Sequence, residues 1–100
     1  MSQGALTVKV GARSREVFNV TILADTENSV TLPGRAKKFM IKHRDSSAVL
    51  KVAFDANESG TTYITVPAYA AYWEDGLLSK DLKIYFQSPT PGVVEVVAWY

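Results

Sequence analysis

Apolar and polar residues alternate along most of this chain with a period of two, the period of a β-strand. In the run from Leu82, the side chains of Leu82, Ile84 and Phe86 share one face, and those of Lys83, Tyr85 and Gln87 share the other. Farther on, Val94, Val96 and Ala98 oppose Val93, Glu95, Val97 and Trp99. That last run is apolar on both faces, as a central core strand would be. Between the two lies Gln87-Ser88-Pro89-Thr90-Pro91-Gly92, where two prolines remove backbone donors and Pro91-Gly92 suits the centre of a type II turn. The pattern predicts a β-hairpin whose final strand is central.

The same alternation continues upstream. Leu6, Val8 and Val10 share a face in a short strand or extended arm, followed by the polar connector Gly11–Glu16. Residues 1–16 are therefore expected to form an N-terminal arm or edge strand, and residues 17–100 a single domain. Val17–Leu23 is β-branched and aromatic, and Ser29–Leu32 is a short strand stopped by Pro33-Gly34. Arg35–Arg44 reads as an amphipathic strand with Phe39 and Ile41 inward, Lys37 and His43 at the ends of that face, and Lys38, Met40, Lys42 and Arg44 outward. After the turn Asp45-Ser46-Ser47, Ala48–Phe54 points Leu50, Val52 and Phe54 inward, and these two strands are expected to pair as a hairpin. Thr61–Val66 and Tyr69–Glu74 are further extended stretches, separated by Pro67. Seven to nine short strands result, with turn signals between them. The fold class predicted is all-β: an antiparallel β-sandwich of jelly-roll type.

Composition changes this picture little. A chain of 100 residues, 47% hydrophobic and 21% charged, is ordinary for one folded domain. The absence of cysteine removes disulfides and thiolate chemistry. No apolar run approaches the ~18 residues that span a bilayer, and Met1–Ala5 lacks the basic-then-apolar pattern of a signal peptide. Net charge is +1, yet it is unevenly spread. Residues 1–50 carry eight Lys and Arg against four Asp and Glu, and residues 51–100 carry three against six. Oppositely charged halves suit a chain that meets copies of itself, and equally one that makes no use of them, because charges far apart on a surface are screened within about 10 Å.

Candidate chemistry is sparse. His43 is the one histidine, so no site with two histidine ligands forms within a single chain. At the end of a Lys- and Arg-rich strand, it reads as a solvated surface residue. Glu74 and Asp75 are adjacent, so in a strand they point to opposite faces and make a poor catalytic pair. No catalytic residue, metal site or cofactor is expected, and the chain does not read as an enzyme. Arg35, Lys38, Lys42 and Arg44 form a candidate basic interface. Single-stranded nucleic acid is a weaker reading for them, because Phe39 shares its face with Ile41 and the overall charge is near neutral. Tyr69, Tyr72 and Trp73 adjoin loops and form a candidate cluster for a glycan or a protein partner. Trp99 is expected in the core and Tyr100 at a subunit interface.

Four stretches carry a family resemblance: Val66-Pro67-Ala68, Trp73–Leu78, Leu82–Ser88 and Val93–Tyr100. Together they resemble the C-terminal half of small structural proteins of tailed-phage virions. The likeness covers about residues 62–100 and, more loosely, Ser29–Phe54. It implies a non-enzymatic, homo-oligomeric β-sandwich located in the virion. Such a protein serves as a capsid decoration, fibre-base or tail accessory component, binding other virion proteins or copies of itself; a host surface glycan is the partner that Tyr69, Tyr72 and Trp73 would serve in the alternative reading as a carbohydrate-binding module.

Overall fold

Eight strands build two four-stranded antiparallel sheets in the computed structural model, which describes residues 15–77 and 81–100. In chain order they are β1 (Arg15–Ile22), β2 (Asn28–Thr31), β3 (Lys38–His43), β4 (Leu50–Ala53), β5 (Ile64–Val66), β6 (Tyr72–Asp75), β7 (Lys83–Gln87) and β8 (Gly92–Trp99). One sheet has the order β1-β8-β3-β6 and the other β2-β7-β4-β5. Successive strands alternate between the sheets except at β4–β5, so this is a jelly roll, as the alternation predicts. The stretch around Leu6, Val8 and Val10 lies outside the described residues, and β1 starts at Arg15, inside the predicted connector.

Alternation places the core. Phe39 and Ile41 of β3, Val94, Val96 and Ala98 of β8, Leu50 and Val52 of β4, and Ile84 and Phe86 of β7 meet between the sheets, all buried. Burying each of the larger side chains contributes about 1.5–3 kcal/mol relative to exposure. The final strand is central, between β1 and β3, as its two apolar faces require.

Strand pairing departs from the expectation at two places. β7 and β8 do not form a hairpin: β7 pairs with β2 and β4, whereas β8 pairs with β1 and β3. β3 and β4 likewise lie in opposite sheets. The Pro-rich loop is thus a crossover between sheets. Ser88 anchors it: the hydroxyl donates to the Val49 carbonyl at 2.6 Å, and the Ser88 carbonyl accepts from the Asp25 amide at 2.7 Å. Gly92 follows at φ 144°, and a Cβ there would stand 3.0 Å from the His43 ring. A left-handed backbone and a close ring both call for glycine at this position.

Candidate functional site

Polar groups cluster in the sandwich at two places that differ in how fully they are satisfied; apart from them, the buried Asn28 Oδ1 at the start of β2 has no hydrogen-bond partner among the described residues. The first lies under the β7–β8 loop. His43 belongs to the inward face of β3 and is only 6% exposed, so the expectation of a solvated histidine is wrong. Its Nδ1 accepts from the Asp45 amide at 3.0 Å, and its Nε2 donates to the Thr90 carbonyl at 2.9 Å. That is the tautomer with its proton on Nε2, and both ring nitrogens are engaged. Nearby, the loop bearing Ser59 is tied to the β1–β2 turn. Glu27 accepts from the amides of Asn57 and Ser59 at 2.8 and 3.1 Å and from the Ser59 hydroxyl, which in turn accepts from Gln87 at 2.9 Å. Burial pushes the Glu27 carboxyl up, but these hydrogen bonds outweigh it and hold the group below the usual carboxylate range. These clusters bind the fold to itself.

The second place is the side of the sandwich bounded by β5 and β6. On the far side β1 and β2 come together. On the near side, inner-face residues stay partly open. Ile64 pairs with buried Val52 and so points inward, yet it is 38% exposed. Tyr72 and Glu74 of β6 share the inner face with Ile41 and Phe39, their register partners, and both are half-buried. The Tyr72 hydroxyl donates to Glu74 Oε1 at 2.6 Å. This hydrogen bond, aided by burial and by the carboxylate charge, pushes the Tyr72 phenol up to about 12. Beneath the pair the Phe39 ring meets Tyr72 edge-on at 5.9 Å and Phe54 at 6.3 Å. Phe54 also lines a cavity of about 280 Å³ with Val52, Ala53, Asp55, Thr62, Tyr63 and Ile64. An apolar floor of two Phe rings thus carries a carboxylate–phenol pair at its rim.

The residues singled out in the sequence fall apart in space. Tyr72 faces inward, Trp73 faces outward at 54% exposure, and Tyr69 stands alone in a loop at 81%. These three rings share no face. Trp73 stacks instead on Trp99 at 5.6 Å, so Trp99 is an outer-face residue and Ala98 takes the core position expected of it. The basic residues each have a partner. Lys38 Nζ lies 5.0 Å from the centroids of both Trp73 and Trp99, and the Arg35 guanidinium lies 4.6 Å over the Tyr100 ring. Lys42 and Arg44 both reach Glu95, at 3.6 and 2.8 Å, and the Arg44 hydrogen bond is the main reason that the Glu95 carboxyl is lowered. Tyr100 is half-buried against its own chain, its hydroxyl 3.5 Å from Glu16. The floor residue Phe54 and the rim residue Glu74 were not singled out as site residues. Both carry inward parity in the sequence, but their convergence requires the two sheets to be stacked.

Metal binding has little to work with: among the described residues no three His, Cys, Asp or Glu side chains gather. No helix among the described residues is long and apolar enough to cross a membrane.

No family model and no curated protein matches the chain. Solved structures do. An HTH_3-family transcriptional regulator from Vibrio cholerae superposes with TM-score 0.58 and 14% identity over 90% of this chain, which spans only 45% of that protein's length. The cupin-2 domain of an XRE-family transcriptional regulator from Enterobacter cloacae gives TM-score 0.58 and 13% identity, over 90% of this chain and 85% of that one. A de novo designed double-stranded β-helix gives TM-score 0.54 and 15% identity, over 84% of this chain and 96% of that one. These likenesses overturn the resemblance to tailed-phage structural proteins and with it the capsid-decoration, fibre-base or tail-accessory role. The motifs behind it, alternating valines and turn prolines, are what any jelly roll needs. The fold of this chain is that of the cupin-2 domains and the double-stranded β-helix.

Proposed function

We propose that this is a small-molecule-binding domain of cupin type whose site is the open β5–β6 side. The observation that carries this reading is the Tyr72–Glu74 pair, half-buried on an inner face above Phe39, whose neighbour Phe54 also lines a cavity of about 280 Å³. A cavity lined by apolar and aromatic side chains with few convergent polar groups is the common form of a ligand site. The rings and Ile64 suit a flat apolar body. Glu74 suits a hydrogen-bond donor or a cation on that body, because Oε1 already accepts from Tyr72 and a carboxylate has further acceptor capacity. An arylalkylamine, protonated at neutral pH, meets both demands.

Binding without catalysis is the reading adopted. The single histidine has both ring nitrogens engaged inside the fold, so it is not placed to move protons for a substrate. The occurrence of this fold in cupin-2 domains of transcriptional regulators supports a sensory role, in which occupancy of the cleft is passed to a partner domain or subunit.

The test is a titration followed by heteronuclear NMR, with phenethylamine as the probe and phenylpropionate as its anionic counterpart. The amine should shift the resonances of Phe54, Ile64, Tyr72 and Glu74, and Glu74→Gln should weaken it roughly tenfold. Equal shifts from amine and carboxylate, or shifts that bypass these residues, overturn the proposal.

A further inference from the structure

The outer face of the β1-β8-β3-β6 sheet carries a pattern that the cleft does not use. Register sets the residues of this face in rows across the four strands. The first row is Arg15, Trp99, Lys38 and Asp75. The second is Val17, Val97, Met40 and Trp73, apolar throughout, with Val17 57% exposed. In the third, Asn19, Glu95 and Lys42 lie side by side. An apolar row flanked by charged rows is costly to leave in water and is the usual form of an interaction surface.

We propose that this face binds the same face of a second copy about a two-fold axis running along the strands, between β8 and β3. Such an axis exchanges β1 with β6 and β8 with β3, and keeps each row against itself. Arg15 then meets Asp75 of the second copy, Lys38 meets Trp99, and Lys42 meets Glu95. Val17 meets Trp73, and Val97 meets Met40. Every charged position in these three rows faces its opposite or an aromatic ring, Arg44 beyond them stays on Glu95 of its own chain, and the apolar row closes on itself. The alternative axis, across the strands, sets Lys38 against Lys42 and leaves Arg15 without a carboxylate. Charge complementarity therefore selects both the occupant and the axis. Two sheets meeting face to face with nearly aligned strands is also a standard packing.

The face is small. With strands ~4.8 Å apart and outward residues ~6.8 Å apart along each, four outward residues on β1 and on β8, three on β3 and two on β6 offer about 400 Å². That is below the roughly 800 Å² per partner of a standard interface, so the dimer is weak and depends on concentration and salt.

Arg15 and Asp75 sit on opposite edges of the sheet, so within one chain they do not touch; they meet only across the axis. Sedimentation equilibrium on wild type should show a monomer–dimer equilibrium. Arg15→Asp and Asp75→Arg should each weaken self-association at least tenfold, because each sets like charges against one another twice. A one-to-one mixture of the two variants should restore association, since both cross-axis pairs are again of opposite sign. Three results would overturn the proposal: a wild type that stays monomeric at about 1 mM, single variants that associate as wild type does, or a mixture that stays apart. Both substitutions are at exposed positions, and the circular dichroism of each variant should match wild type.

Discussion

The end of the sandwich under the β7–β8 loop and the side between β5 and β6 hold polar groups of similar kinds, and they use them differently. At the first, His43, Ser88, Ser59 and Glu27 give their hydrogen bonds to the protein's own backbone and side chains. At the second, Tyr72 and Glu74 bond chiefly to each other, at half-burial, over aromatic rings. Among these clusters, a polar residue is a candidate for ligand contact only where the fold has left it capacity. Where the fold has consumed that capacity, the residue contributes to stability.

Mutation can break or sharpen this contrast. The largest effect belongs to His43→Ala, which strands the Thr90 carbonyl and the Asp45 amide and opens a void beneath Gly92. It should cost about 3 kcal/mol in urea denaturation while leaving probe binding at the cleft intact. A cost under ~1 kcal/mol would show that the histidine is not structural. Ser59→Ala comes next, at about 1–2 kcal/mol near neutral pH. The Glu27 carboxyl lies below its ordinary 4.5 when folded, so its contribution is present above that value and is lost as pH falls through the folded value. The urea midpoint of wild type should fall as pH drops below about 5, and the fall should be shallower in Ser59→Ala. Equal slopes would remove Glu27 from the account. Smallest in stability is Glu74→Gln, within about 0.5 kcal/mol. Its signature is spectroscopic. Tyr72, held at about 12 by the Glu74 carboxylate, should titrate nearer its ordinary 10 in that variant, seen as phenolate absorbance appearing at lower pH.

Alternation carries most of what was legible in the sequence. It gave the inward faces of β3, β4, β7 and β8 and the central place of β8. It did not give strand neighbours, because a hydrophobic pattern specifies which face is buried and not which strand lies alongside. Pro89 and Pro91 mark a turn equally well in a hairpin or a crossover. The choice is made by contacts from distant parts of the chain, Ser88 with Val49 and Asp25 with Ser88. His43 had the parity of Phe39 and Ile41, yet the surrounding Lys and Arg suggested exposure; the parity was the better guide. Trp99 misled through size alone, since its own parity matches Glu95 and Val97 on the outer face. The Phe39–Phe54–Tyr72 cluster joins β3 and β6 of one sheet to the residue that follows β4 of the other, and no local pattern announces it.

The position of β8 bears on how the domain comes into being. Arg15 at the start of β1 is registered with Trp99 at the end of β8, and β3 leans on the same strand. During synthesis, the edges of β1 and β3 that face β8 must wait for it unpaired, since among the described residues no other strand lies between them. Pairing of such sequence separation is slow, and a waiting apolar edge is prone to join a neighbouring chain. Production at low temperature, or with chaperones in excess, should therefore raise the soluble yield more than any single stabilising substitution in the core.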